Sequence, residues 1–506
     1  MPVFAAVDIG SNSVRLSIAE LRRGRLIPLH QDREVTRLGE SVFRDGSLSP
    51  QAMAQTLKVL RRFHRAVQSY AVERTRVVGT SALRDSNNGH VFAEWLKTTT
   101  GWKLEIITGL EEGRLIHLGV ISNMRTPPPK LLLIDLGGGS CELTRSEKGH
   151  IKEIVTLPLG AVRLTEEFIH HDPPDKDELK RLHGFIDQEV AHVSPQIIRA
   201  GARVVIATSG TAAALAGAAQ SMGLTRTGGA VSQAIAAKLV KKLAKLTARQ
   251  RAAIKGINPK RAQIIVAGAA VYSQVLHACG LKGFRYSPLG LRDGLLAQMA
   301  AEYDQHTRSH RQLESDRQDV LLKTARRYGV DLENAAQVSR LALSLFDQTR
   351  AVHGLEKEWR EWIAAAAMLY EVGIYVNPVG LHRHAYYVIS RSELFGFTPL
   401  QRAIIATVAR FQGNSRPQLR DRLIKLLPAQ ARSDTLKSIA ILRVARALNQ
   451  GRRSAVHSVR ATMRGGEAVI TVKAGRGGAD LELWAGEKEI NYFREVFGRE
   501  LVFKLV

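Results

Sequence analysis

The stretch Asp8-Ile9-Gly10-Ser11-Asn12-Ser13-Val14-Arg15-Leu16 returns later as Asp135-Leu136-Gly137-Gly138-Gly139-Ser140-Cys141-Glu142-Leu143. The two align without a gap and share Asp, Gly, Ser and Leu at matched places. An apolar run precedes each copy, Val3 to Val7 in the first and Leu131 to Ile134 in the second. Each reads as strand, tight Gly/Ser turn, strand. A single copy fits an ordinary hairpin, where Asp-Gly and Gly-Gly turns are common. Two matched copies point to duplicated half-domains that share a phosphate site. Glycines let backbone amides approach a ligand, and successive amides form a concavity for anions. Ser13 and Ser140 add hydroxyl donors, and the aspartate ending each strand can hold a metal or a water beside the phosphate.

Working outward, Thr126-Pro127-Pro128-Pro129 just before the second copy reads as a linker. Further on, Arg203-Val204-Val205-Ile206-Ala207 is a short apolar strand, followed by Thr208-Ser209-Gly210-Thr211 and the helix-like Ala212 to Ala216. A strand, a Ser/Gly/Thr turn and a helix N-terminus suit an anion, although Thr208 or Ser209 fits a helix cap equally well. Arg84 follows the strand Val77-Val78-Gly79, where it can clamp phosphate oxygens or pair with Asp85. The strand Leu104 to Gly109 runs into Glu111-Glu112-Gly113-Arg114-Leu115-Ile116, a helix start whose glutamates suit the helix dipole.

Composition narrows the class. At roughly 100–200 residues per domain, a chain of 506 residues holds three or four domains. No apolar run of about 18 uncharged residues occurs, so no membrane-spanning helix is expected. The start Met1-Pro2-Val3-Phe4-Ala5-Ala6-Val7-Asp8 lacks the basic opening of a signal peptide. Two distant cysteines, Cys141 and Cys279, give no disulfide framework and no zinc-site pattern, and a reducing cytoplasm is the expected home. Lys plus Arg total 73 against 47 acids, a net charge of +26, which suggests a polyanionic partner. The charge is patchy: Lys238 to Arg261 carries nine bases and no acid, and Arg416 to Arg464 twelve bases and two acids. Neither stretch interleaves aromatics, so nucleic acid is not expected as the main ligand.

Taken in order, Ala6 to Ser13, Gly79 to Asp85, Glu111 to Ile116, Ile134 to Ser140, Leu157-Pro158-Leu159-Gly160-Ala161-Val162-Arg163, Thr208 to Thr211 and Gly290-Leu291-Arg292-Asp293-Gly294 form a collinear set. The set resembles the exopolyphosphatase and guanosine pentaphosphate phosphohydrolase family over essentially the whole chain. The resemblance implies an α/β fold of two duplicated actin-like (ribonuclease-H-like) half-domains, 1–127 and 128–304, with the cleft between them. A helical HD-like domain, 312–450, and a small α+β cap, 451–506, would follow. Glu112 would activate the attacking water, with Asp135 and Glu142 as further catalytic and metal-holding residues. Asn12, Ser13, Arg84, Gly137, Gly138, Gly139, Ser140, Ser209, Gly210 and Thr211 would bind phosphate. Mg²⁺ is the implied cofactor, with other divalent ions and a monovalent cation also compatible, and a homodimer is the implied assembly. Cys141 stands where threonine is usual and Asp293 where glutamate is common.

In the C-terminal half, helical periodicity from Asp316 to Asn449 places Trp359, Trp362 and Leu369 in a core. The His-Asp dipeptide of HD phosphohydrolases reads Tyr370-Glu371, so despite His353, His382 and His384 no second metal centre is expected. Ala468 to Val472 and Asp480 to Trp484 both alternate as strands. The expected activity is hydrolysis of the terminal phosphate of inorganic polyphosphate, held along the Arg416–Arg464 stretch. The alternatives are 5′-phosphate removal from guanosine pentaphosphate, alone or as a dual activity, an ATP-dependent kinase, and a polyanion binder without catalysis.

Overall fold

The computed structural model describes residues 1–225 and 229–506. It divides into two compact units, Met1–Asp316 and Arg317–Val506. No helix among the described residues is long and apolar enough to cross a membrane.

The first unit holds two sheets. Strands β1 (Val3–Ile9), β2 (Val14–Arg22), β3 (Arg25–Glu34), β4 (Val72–Gly79) and β5 (Leu104–Ile106) lie in the order β3-β2-β1-β4-β5. Strands β6 (Lys130–Leu136), β7 (Cys141–Glu147), β8 (His150–Leu157), β9 (Val204–Thr208), β10 (Ala230–Ser232) and β11 (Gly283–Tyr286) lie in the order β8-β7-β6-β9-β11-β10. In each, the first three strands of the chain run antiparallel, and the next joins the opening strand in parallel. β1 is almost wholly buried and β6 nearly so, as their unbroken apolar runs require of central strands.

Two helices position the site. α1 (Gly109–Ser122) opens where Thr108 accepts a hydrogen bond from Glu111 N at 3.2 Å. α2 (Leu291–Tyr303) crosses it at very close range. A Cβ built on Gly294 would stand 1.8 Å from Leu115 O, and one on Gly119 2.6 Å from Gly294 N. Gly294→Ala is therefore expected to cost about 3 kcal/mol or more, since the obstacle is backbone that cannot step aside, and a denaturant titration reads it. Because α1 carries Glu112, this crossing also fixes the site.

The second unit packs helices, among them Leu332–Gln348, Trp359–Leu369, Pro399–Arg410 and Ala429–Ala447, around a core containing Trp359, Trp362 and Leu369. A three-stranded sheet joins β12 (Val456–Arg464), β13 (Glu467–Ala474) and β14 (Glu500–Leu505). The Arg464 side chain, at the end of the basic stretch, lies outside the described residues. Asp480 to Trp484 is not a strand: Asp480–Glu487 is a helix. Its five-residue alternation also fits a helical face, and burial of Glu482 and Ala485, three apart, decides it. At the dipeptide position Tyr370 Oη accepts from Asn334 at 3.0 Å, and Arg452 grips Glu371 at 2.7 and 3.0 Å. Both His353 nitrogens are engaged, Nε2 with Phe346 O and Nδ1 with Leu355 N. Among the described residues no metal-holding cluster forms there.

Candidate active site

The two repeated turns face one cavity of about 210 Å³ in the first unit. Each turn closes with the same bond, Gly10 N to Ser13 O at 3.2 Å and Gly137 N to Ser140 O at 2.9 Å. They touch each other: a Cβ on Gly138 would stand 2.8 Å from Ser11 Cβ. The strand register then separates the copies chemically. Asp8 lies opposite Arg15, whereas the matched Asp135 lies opposite Glu142.

Acidic groups gather beside the second turn. Glu112, Asp135 and Glu142 each offer an oxygen within 4.8 Å of the others, and all three are buried or nearly so. Glu112 Oε2 is buried without a hydrogen-bond partner, and Arg84 Nη1 stands 3.8 Å from it. Burial, and then the charge of Glu142, pushes the Glu112 carboxyl well above the usual carboxylate range. Burial, and then Asp135, pushes Glu142 up to about 8. Burial also raises Asp135, which the Thr208 hydroxyl partly offsets by donating to it. Tyr272 Oη in turn donates to Thr208 O at 3.2 Å. Thr208→Val removes that charge-assisted bond and is expected to lower kcat/KM about tenfold, read by steady-state phosphate release.

Four arginines also line the cavity, Arg15, Arg33, Arg261 and Arg292, together with Asp8 and Asp293. Burial, then Arg15 and Arg292, pushes the Arg33 guanidinium down to about 10. Burial, then Arg33 and Arg15, pushes Arg261 down to about 9. Four cations crowded into one cavity repel one another, and a polyanion relieves that repulsion.

Of the residues expected from sequence, Asn12, Ser13, Gly137, Gly138, Ser140, Ser209 and Gly210 line the cavity with Glu112 and Asp135. Ser209 holds a left-handed φ of 82°, unusual for a side-chain-bearing residue and typical of a constrained site. Glu142, the cross-strand partner of Asp135, sits beside it but is not among the residues that line the cavity. Gly139 is not among the lining residues, and a Cβ built on it would meet Phe43 and Ser81. Thr211 turns inward and accepts from Arg261 Nη1 at 3.0 Å, so it orients an arginine instead of meeting a ligand. Arg84 donates to Ile107 O at 2.9 Å and flanks Glu112. The four cavity arginines and Thr208 went unassigned in the sequence. Arg15 and Arg292 lie inside quoted motifs and Arg261 ends a basic run, but Arg33 carries no local signal.

A pocket that sets clustered carboxylates against crowded arginines across glycine turns, on this α/β architecture, is a site for phosphate chemistry. Models of known families agree: the Ppx/GppA phosphatase family matches residues 17–303, and its domain III matches 317–477. The chain belongs to the Ppx/GppA phosphatase family, whose members are hydrolases acting on phosphate anhydride bonds. A solved exopolyphosphatase of Cytophaga hutchinsonii is 26% identical, with 59% of this chain and 98% of that one covered at a TM-score of 0.55. A family member from Aquifex aeolicus is 28% identical, with 60% and 99% covered at 0.51. Both share the actin-like fold.

Proposed function

We propose that the chain hydrolyses the terminal phosphoanhydride of inorganic polyphosphate and releases orthophosphate. The observation that carries this is the buried, unpartnered Glu112 carboxylate oxygen beside Asp135 and Glu142, set into a cavity with four arginines. In this reading the two sheets are duplicated halves. The amides of the two turns and the arginines hold the terminal phosphates, and Arg84 keeps Glu112 oriented. Glu112 takes the proton from the attacking water, for which a raised pKa suits a base near neutral pH.

The acidic cluster also fits a hard divalent cation such as Mg²⁺: its donors are all carboxylate oxygens, and three of them, Glu112 Oε2 and both of Glu142, are buried without a hydrogen-bond partner. Asp135 and Glu142 would hold it, and bound there it would supply positive charge to phosphate oxygens. Without a cation, Glu142 costs the fold stability as pH rises from about 4.5 through about 8, because the folded state keeps its proton longer. Mg²⁺ binding at pH 7 is therefore expected to release protons, and calorimetry in buffers of different ionisation enthalpy measures that. A homodimer and a monovalent-ion requirement belong to the same reading.

The excess of basic residues favours a long polyanion, and the exopolyphosphatase neighbour supports the same substrate. Phosphate release from long polyphosphate against guanosine pentaphosphate, with and without Mg²⁺, tests the assignment. A kcat/KM higher for the pentaphosphate would reverse it, and equal values would make the enzyme dual.

A further inference from the structure

Arg163 ends the motif Leu157–Arg163 and lies outside the cavity lining, yet it touches three parts of the first unit that frame the site. Its Nε donates to Gly139 O at 2.8 Å, in the turn between β6 and β7. Its Nη2 donates to Asp85, the residue after Arg84, and Arg84 flanks Glu112. Its guanidinium carbon lies over the Phe43 ring, 4.1 Å from the centroid.

Phe43 sits on a strap, residues 37–46, that leaves the first sheet and reaches the second. Gly39 N donates to Ser11 O at 2.7 Å, tying the strap to the first turn. Arg37 donates to Gln263 at 2.6 Å, and Ser41 N to Glu166 at 3.1 Å. Phe43 packs with Ala161, Val162 and Ile264. Arg37 and Ser41 hold left-handed φ values of 53° and 73°, which side-chain-bearing residues adopt only when surrounding contacts impose them.

We propose that Arg163 is a positioning residue for phosphate hydrolysis. It clasps the Gly139 turn to Asp85 and to the strap, and so sets the spacing between the phosphate-holding turn and the Arg84–Glu112 pair. The inference rests on the phosphatase reading of the same cavity. Only arginine serves, because the clasp sends two guanidinium nitrogens to different partners while the same group lies over a ring, whereas a lysine ammonium is a single point charge.

The test measures phosphate release from polyphosphate by the full chain, with kcat and KM separated and melting followed in parallel. Arg163→Gln should lower kcat about 10–100-fold with KM and melting little changed, since a shift of about 1 Å at a reacting centre costs that much. Arg163→Lys should not restore it. Asp85→Asn should lower kcat in the same direction, since it loses the Arg163 link and weakens the 3.6 Å pair with Arg84, and the double variant should fall well short of the product of the two losses, because the Arg163–Asp85 link is lost in each single variant. A kcat for Arg163→Gln within about twofold of the parent, or losses that multiply in the double variant, would overturn the clasp. Should Arg163→Gln fail to fold, Asp85→Asn decides by itself: an unchanged kcat overturns the proposal. Glu112→Gln run alongside separates the two readings. If it silences the enzyme while Arg163→Gln does not, the clasp fails and the site stands. If Arg163→Gln lowers kcat while Glu112→Gln does not, the base assignment fails and the clasp stands.

Discussion

Glu112→Gln removes nearly all phosphate release: kcat is expected to fall about 10²–10⁴-fold while the chain folds as before. The amide keeps the shape of the carboxylate but accepts no proton. It also ends the repulsion between two buried acids, so melting should hold steady or rise. The neighbouring glutamate supplies the control. Glu111 forms a bidentate pair with Arg114 at 2.8 Å, and Arg114 is fully buried. Glu111→Gln strands that cation, so it should lower stability by about 3 kcal/mol or more rather than act on the chemical step. Adjacent substitutions thus separate into one catalytic and one structural loss. Near-parental activity in Glu112→Gln would falsify its role as the base.

Arg33→Gln is the second large effect, with kcat/KM for polyphosphate expected to fall about 10–100-fold. A hydrogen bond to a charged group contributes about 1.5–3 kcal/mol, and Arg33 is poised in the cavity with its charge opposed by Arg15 and Arg292. The same opposition means that the empty protein gains from the substitution, so its melting temperature should rise. Added phosphate should then stabilise the variant less than the parent. A fall in melting temperature together with unchanged kinetics would show that Arg33 belongs to the scaffold.

Much of the cavity was legible because its parts are local. The Asp-x-Gly turns, the Ser/Gly turn after β9 and the start of α1 each carry their chemistry within a few residues of a strand end. Asp135 needed no more than that to be nominated, whereas Glu112, locally a residue that suits the helix dipole, took the family resemblance to single it out. What stayed hidden depends on pairing at long range. Arg33 reaches the cavity only because β3 lies beside β2, and neither its neighbours in sequence nor its periodicity mark it. Thr211 sits next to Gly210 in a turn that reads as a unit, yet the first helical residues rotate successive side chains by about 100°, which takes it inward to Arg261. Asp480 to Trp484 fits either period, and only packing settled it.

The register across the two central hairpins has a final consequence. At the position facing the aspartate, one sheet carries Arg15 and the other Glu142. The repeated turns therefore carry different electrostatics: the Arg15 charge opposes that of Asp8 within the first sheet, whereas Asp135 and Glu142 remain two acids side by side in the second. Only the second pair is left short of positive charge, and Glu142→Arg, which copies the Arg15 arrangement there, is expected to abolish divalent-cation binding, as calorimetry would read.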